Sequence, residues 1–182
     1  MARKRTPSQS TDWKDEPAGT AATPPAGSNQ LVRQPEEEVS ERFRRGMGIR
    51  RMVHGHEHVD AAWQRASGDE QRMALEEFVT ECVWGTVWAR NGLPSKTRSL
   101  LTIGLLIAMN RPGDLRLHIR SAVLNNGCSM AEVREVMIHT AAYCGVAGAV
   151  EAFALSDEVA GELNLPGPRP YTPHRRKANG SA

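Results

Sequence analysis

Aromatic side chains and cysteines are scarce in this chain of 182 residues. Aromatic residues make up 5% of the sequence, and its three cysteines are Cys82, Cys128 and Cys144. An odd number of widely spaced cysteines does not suit a disulfide framework and is typical of free, buried thiols in a reducing compartment. We therefore expect a cytoplasmic protein.

A membrane segment, a secretion signal and a strong charge bias are also missing. No apolar run reaches the roughly 20 residues that span a bilayer, and no apolar stretch follows the basic start MARKRTPSQSTDWKDEP. The net charge of +2 does not indicate the clustered basic face that binds nucleic acid. We expect neither a membrane nor a nucleic acid as partner.

Because the G-x-S-x-G elbow, the P-loop and the Rossmann fingerprint are absent from the sequence, a serine hydrolase or a nucleotide enzyme is also disfavoured.

Composition divides the chain into three parts. Residues 1–35 and 166–182 are rich in small residues and proline and lack periodic apolar positions. Such segments cannot bury enough surface to offset their chain entropy, so we predict two disordered tails. Residues 36–165 have apolar residues at helical spacing and contain no convincing strand. They predict one all-α domain, a compact bundle of about six helices.

The most apolar predicted helix lies in the middle of this domain. Residues 97–109 are apolar on nearly every side, which is typical of a buried helix. Gly85 and the pair Asn91–Gly92 are expected to end the helix before it. Other helices are predicted at residues 35–54, at 69–84 with Leu75 and Phe78 on its inner face, at 114–125, from a capping box at Ser129 onwards, and up to residue 163.

His118 is the first candidate for chemistry. It shares the apolar face of its predicted helix with Leu115 and Ile119 and stands between Arg116 and Arg120. Burial and neighbouring cations both lower a histidine pKa, so the imidazole is expected to be neutral at pH 7 and able to take or give a proton. The alternative is a core histidine that bonds to a backbone carbonyl.

Arginines and tryptophans are the next candidates. Arg98 begins the apolar helix, where its guanidinium and the helix N-terminus could together hold a carboxylate; an exposed arginine in a first turn is the alternative. Arg90 and Arg120 are further cations that could face a pocket. Trp84 and Trp88 would share a face, and could wall a dry pocket, only if their helix continues through the glycine between them. Core packing explains them equally well.

The segment His54-x-His56-x-His58 offers three imidazoles. On a strand all three would share a face, and on a helix only the first and third would. Glu57 and Asp60 are the only other ligand types nearby. We therefore expect no metal, and keep a metal-assisted lyase using His54 and His58 as the alternative.

Five stretches of the chain resemble the carboxymuconolactone decarboxylase family. They are GMGIRRMVHGHEHVD (46–60), WGTVWARNGLPSKTRSLLTIGLLIAMNR (84–111), LRLHIRSAVLNNG (115–127), EVREVM (132–137) and AAYCGV (141–146). The resemblance covers residues 40–160. It implies an all-helical fold that assembles into rings, commonly trimers or hexamers, with active sites between helices and near subunit contacts.

The resemblance also implies a reaction. It is the loss of carbon dioxide from 4-carboxymuconolactone, a dicarboxylate lactone of protocatechuate breakdown, to give 3-oxoadipate enol-lactone without metal or organic cofactor. Arg98, Arg120 or both would hold carboxylates, and His118 would be the general acid or proton relay. His58 matches the histidine of the family's HVD motif and would complete the pocket, across a subunit contact.

The same resemblance excludes one branch and leaves the substrate open. The alkylhydroperoxidase branch has C-x-x-C before the helix histidine, but Arg111 and Asp114 stand at those positions, so no disulfide cycle can run. Four further residues depart from the expected family pattern: His54, His56, His139 and Ala147. They keep open a related lactone or keto acid as substrate, or a non-catalytic helical oligomer that binds a small anion.

Overall fold

The computed structural model describes residues 40–167, 170 and 172, and these form an all-α fold, as predicted. The elements are α1 (Glu41–His54), α2 (His56–Ala66), α3 (Glu70–Phe78), a π-helix (Val79–Trp88), α4 (Ser95–Ala108), α5 (Pro112–Leu124), α6 (Met130–Cys144) and α7 (Val146–Glu162). The predicted tails lie outside the described residues except for residues 166, 167, 170 and 172. None of the described helices is long and apolar enough to cross a membrane.

Helix ends in the second half follow local sequence signals. Ser129 and Glu132 form the predicted capping box at the start of α6, each side chain bonding to the other residue's backbone N–H. Gly145 separates α6 from α7 with φ at +102°, a conformation that side chains other than glycine rarely adopt. Pro112 is the first residue of α5, where a missing N–H costs nothing, so this helix begins earlier than residue 114.

The apolar core lies among α4, α5, α6 and α7. Ile103, Ile119, Val133, Met137 and Val159 are fully buried there, one or two from each helix. These helices pack against one another in the pairs α4–α5, α4–α6, α5–α7 and α6–α7. The core therefore fixes the direction of α5, the helix that carries His118.

A close crossing of α1 and the π-helix builds the other half of the domain. A Cβ added to Gly46 would stand 2.7 Å from the backbone N of Gly85 and still closer to the carbonyl of Thr80. Arg45 spans the crossing, because its Nη2 donates to the Gly85 carbonyl at 3.1 Å. The two helices therefore approach as closely as only glycine permits.

The predicted helices were wrong in three respects. Gly85 does not end its helix, which continues to Trp88 with π-helical winding. The residues 56–66 form a separate helix that the sequence did not indicate. On the helix predicted at 69–84, Leu75 and Phe78 are exposed instead of packed.

Helix α4 is also less buried than predicted. Its side chains Ile103 and Ile107 are in the core, but Leu101 and Leu105 are 54% and 62% exposed. One apolar face of the helix thus remains uncovered within a single chain. Of the three thiols expected to be free and buried, all are free, Cys128 is buried, and Cys144 is exposed.

Candidate functional site

Three histidines meet where α1, α2 and α5 come together. His54 is the last residue of α1, and its ring centroid lies 4.7 Å from that of His118 and 5.7 Å from that of His58. Gly55, with φ at +87°, turns the chain so that α2 begins at once and returns His58 towards His54. His58 joins the cluster from the same chain as His118, so the cluster does not need the predicted subunit contact.

A hydrogen bond to α5 holds His54 at the centre of this histidine cluster. Its Nδ1 lies 2.8 Å from Oγ of Ser121, which is buried one turn beyond His118. The other ring nitrogens of the three histidines have no hydrogen bond to a described residue, and none is sealed from solvent. Five imidazole nitrogens therefore have no hydrogen-bond partner among the described residues.

Two tryptophans from the π-helix form a wall beside the histidines. The ring of Trp84, which is buried, lies edge-on to His54 at 5.0 Å. Trp88 stacks obliquely on Trp84, with 4.8 Å between ring centroids. The helix continues through Gly85, which was the condition for these two indoles to share a face. Large aromatic side chains thus exclude water from one side of the cluster.

The histidines are neutral in this environment. Burial lowers the pKa of His54 to about 3, helped by the charges of His118, His58 and Arg50. Burial likewise lowers the pKa of His118, which was predicted. The nearby charge that adds to this effect is His58, not the flanking arginines, and Asp114 acts in the opposite direction.

His58 has a lowered pKa as well, mainly through burial and then through Arg65 and Arg50. Near pH 7 the cluster therefore presents uncharged imidazoles, which can both accept and donate hydrogen bonds. Such groups suit proton transfer at an otherwise dry site.

Arg50 supplies a cation next to the cluster that the sequence analysis missed. It lies one helical turn before His54 and is only 8% exposed. Its Nη1 donates to Oε2 of Glu76 at 2.5 Å and to Oγ1 of Thr80 at 3.2 Å. The i, i+4 spacing of Arg50 and His54 on one helix was the available signal. Ser121 was also missed, and its i, i+3 spacing from His118 on α5 was the corresponding signal.

The arginines chosen from the sequence do not join the histidine cluster. Nη2 of Arg98 donates to the carbonyl of Arg90 at 2.8 Å, and its Nε is buried without a partner among the described residues. Arg90 and Arg120 are exposed. Arg116 forms ion pairs with two glutamates of α7. No contact within the described part of the chain brings any of them to an imidazole.

The alternative metal site is not assembled. In the part of the chain that the structure describes, no group of three or more His, Cys, Asp or Glu side chains is placed to hold a metal ion. Gly55 separates the H-x-H-x-H segment into two helices, and His56 is exposed at the start of the second. The histidine cluster therefore lacks the ligand set of the metal-assisted alternative.

An apolar groove lies on another face of the domain, between α4 and α6. Its volume is about 800 Å³, and we refer to it as the α4–α6 groove. Its lining includes Leu101, Gly104, Leu105, Val136, His139 and Tyr143. Because apolar side chains dominate this lining, it does not suit a small carboxylate.

Fold and cluster together define an all-α protein whose candidate site combines neutral acid–base groups with one buried cation. Residues 74–158 match the family model described as the carboxymuconolactone decarboxylase family. The chain is 34% identical over 125 residues to 4-carboxymuconolactone decarboxylase of Acinetobacter baylyi, covering 69% of this chain and 91% of that protein. It is 39% identical over 121 residues to nitrosuccinic acid decarboxylase npaB of Metarhizium robertsii, covering 66% and 82%.

The chain therefore belongs to the carboxymuconolactone decarboxylase family. Both relatives are named as decarboxylases, and the protein is accordingly a carboxy-lyase of this family.

Proposed function

We propose that the protein converts 4-carboxymuconolactone to carbon dioxide and 3-oxoadipate enol-lactone in protocatechuate breakdown, in the cytoplasm and without a cofactor. The name and 34% identity of the Acinetobacter relative support the substrate. The observation that carries the proposal is the cluster of neutral imidazoles against a tryptophan wall.

The substrate itself provides the electron sink for this reaction. When the carbon–carbon bond to the departing carboxylate breaks, its electron pair passes through the ring double bond to the lactone carbonyl. The product of that step is a dienolate, which takes one proton on carbon to give the enol-lactone. The protein must therefore bind the acid, exclude water and deliver one proton for each carbon dioxide released.

His118 is the residue that we assign to proton delivery. A neutral imidazole can pass on a proton by accepting one from solvent at one nitrogen and releasing one from the other. His58 belongs to the same cluster, with its ring centroid 5.7 Å from that of His54. Trp84 and Trp88 keep the dienolate from bulk water, which strengthens the electrostatic interactions around it.

The test is the replacement His118→Ala, with His56→Ala as the matched control at an exposed position. Loss of general acid catalysis typically costs about 10² to 10⁴-fold, so kcat should fall by that factor in the first variant only. The assay follows the ultraviolet absorbance of 4-carboxymuconolactone together with carbon dioxide release, with and without a chelator. Turnover that survives in His118→Ala contradicts the assignment, and dependence on metal contradicts the cofactor-free reaction.

A second candidate substrate is a nitro acid. The Metarhizium relative is named for nitrosuccinic acid, in which a nitro group could take the electron pair that the lactone takes in the first candidate. The presence of His54 inside the cluster, where a different residue was expected, favours a changed substrate. Carbon dioxide release from nitrosuccinate but not from the lactone would select this alternative, and the reverse result would exclude it.

We also propose that a second copy of the chain covers the α4–α6 groove, in a trimer or hexamer. The support is the exposure of Leu101, Leu105 and Tyr143 at or beside an apolar groove, since such patches mark association sites. Sedimentation of the purified protein at micromolar concentration tests this proposal. A monomer would contradict it.

A further inference from the structure

We propose that Arg50 holds the carboxylate that the substrate keeps, while the departing carboxylate faces the neutral imidazoles and indoles. This inference rests on the proposed decarboxylation and names the charged group that the site uses. It differs from the sequence-based assignment to Arg98 and Arg120.

The side chain of Arg50 has one edge anchored and one edge available. Its Nη1 is bound by Glu76 and Thr80. Nε and Nη2 make no hydrogen bond to a described residue, and neither is among the side-chain nitrogens that are both buried and unpaired, so both keep access to solvent. These two nitrogens form one edge of the planar guanidinium and can bind a carboxylate by two parallel hydrogen bonds.

The position of Arg50 relates it to the histidines. It precedes His54 by one turn on α1, so the two side chains project from the same face. The charge of Arg50 lowers the pKa of both His54 and His58, whereas the charge of Glu76 raises the pKa of His58. Arg65 also acts on His58, but it is exposed to solvent.

Two other arginines of α1, Arg51 and Arg45, are already occupied on the corresponding edge. Arg51 uses Nε and Nη2 to hold Asp60, at 3.1 and 2.6 Å. Arg45 donates Nη2 to the carbonyl of Gly85. A ligand carboxylate could bind either of them only by displacing a bond, whereas Arg50 requires no displacement.

Glu76 neutralises the buried charge of Arg50 when no ligand is bound. A buried guanidinium without a counter-ion would be strongly destabilising, and the ion pair removes that penalty. Thr80 and Glu76 also fix the plane of the guanidinium, so its free edge has a defined direction. Binding energy from the retained carboxylate can then be used to hold the departing one in a place without a cation.

This division of the two carboxylates favours bond breaking. The departing carboxylate loses its negative charge as carbon dioxide forms, so a cation beside it would stabilise the ground state more than the transition state. Neutral imidazoles and the indole of Trp84 do not impose that cost. A single cation on the other carboxylate orients the molecule without slowing the reaction.

The test measures binding of muconolactone, which keeps the lactone ring and the retained carboxylate but has hydrogen in place of the departing one. Calorimetry compares this acid with its methyl ester, in which the retained carboxylate is uncharged. Wild type should bind the acid at least tenfold more tightly than the ester. The double variant Arg50→Gln/Glu76→Gln removes both buried charges together and should bind the two compounds equally.

The matched control is Arg51→Gln/Asp60→Asn, which removes the neighbouring arginine–carboxylate pair. It should keep the wild-type preference for the acid. Arg50→Lys with Glu76 intact keeps the ion pair and should fold even if the double variant does not; it should lose at least part of the preference because lysine cannot present two parallel donors.

Three results would overturn the role of Arg50: a wild type without preference for the acid, a full preference retained in both Arg50 variants, or a preference lost in the Arg51 control. The proposed function fails separately. If the acid is preferred through Arg50 but no carbon dioxide is released from 4-carboxymuconolactone, the carboxylate-binding role of Arg50 is confirmed and the proposed reaction is wrong. If carbon dioxide is released but the acid is not preferred over the ester, the proposed reaction is confirmed and the role of Arg50 is wrong.

Discussion

The two halves of this domain are held together by different means. The half formed by α4 to α7 encloses large apolar side chains such as Ile103 and Met137. The half formed by α1, α2, α3 and the π-helix has a backbone contact between two glycines, a buried ion pair and two of the three clustered imidazoles. The first arrangement provides an apolar core, and the second contains most of the candidate site. His118 belongs to both, because α5 packs in the core on one side and meets His54 on the other.

The largest expected effect on stability comes from the close crossing of α1 and the π-helix at Gly46 and Gly85. Gly85→Ala would bring a Cβ to 2.9 Å from Cγ of Arg42 and still closer to its carbonyl, so the helices must separate. Overpacking of this kind typically costs about 1 to 3 kcal/mol, and a backbone clash lies at the upper end. Urea unfolding should show a loss of about 3 kcal/mol, with a weakened near-ultraviolet signal from Trp84 and Trp88.

Gly148→Ala is the control for that prediction in the other half. An added Cβ there would lie 3.6 Å from the carbonyl of Ile107, an ordinary contact. Alanine is favoured over glycine inside a helix by roughly 0.5 to 1 kcal/mol, so stability should be unchanged or slightly higher. Equal losses in Gly85→Ala and Gly148→Ala would mean that the two halves do not differ in this way.

The second prediction concerns pH. His54 has its pKa lowered to about 3 in the folded protein from an ordinary 6.5, so the unfolded chain binds more protons between these values. Stability is therefore fully present above pH 6.5 and is lost as pH falls towards 3. Between pH 7 and 5 this one group should remove about 2 kcal/mol. His58 and His118 act in the same direction.

Urea unfolding of wild type, His54→Asn and His56→Asn at pH 7 and pH 5 measures this effect. His54→Asn should reduce the loss on acidification by about 2 kcal/mol. His56→Asn, which removes an exposed imidazole two residues later, should keep the wild-type loss. An unchanged loss in His54→Asn would show that this ring is not the one that resists protonation.

The smallest expected effect on stability comes from the loss of a helix N-cap, and it should be the same in both halves. Ser40 caps α1 and Ser129 caps α6, each by accepting a hydrogen bond from a backbone N–H in the first turn. Replacing either by alanine should cost about 1 kcal/mol in thermal or urea unfolding. Ser67→Ala, outside any cap of this kind, should have no effect. A much larger loss at one cap would mean that the difference between the halves extends to their helix ends.

The sequence predicted the second half of the domain better than the first. The apolar spacing around Ile119 and the capping box at Ser129 are local signals, and both elements formed as predicted. Gly85 was misjudged because a glycine in isolation indicates a helix end, whereas here it makes room for Arg42 and Gly46 of another helix. The exposed face of α4 was missed because apolar periodicity does not distinguish a core from an association surface.

The candidate site was also predicted only in part, because some of its contacts join residues that are far apart in the sequence. His118, His58, Trp84 and Trp88 were chosen individually, and the structure brings them to one place. The arginines were chosen by their nearness to the apolar helix, and pairing elsewhere removes Arg98 from the cluster. The role of Arg50 depends on Glu76, which is 26 residues away in the chain, and no local pattern reveals such a pair.

The contact of Trp84 with His54 gives the protein a built-in optical signal. An indole touching an imidazole and a second indole has an emission and a near-ultraviolet band that depend on the protonation of that ring and on what lies beside it. A molecule that enters the histidine cluster therefore alters the fluorescence of the unlabelled chain. Occupancy of the site can be followed by mixing experiments in which no bond is broken and no product is formed.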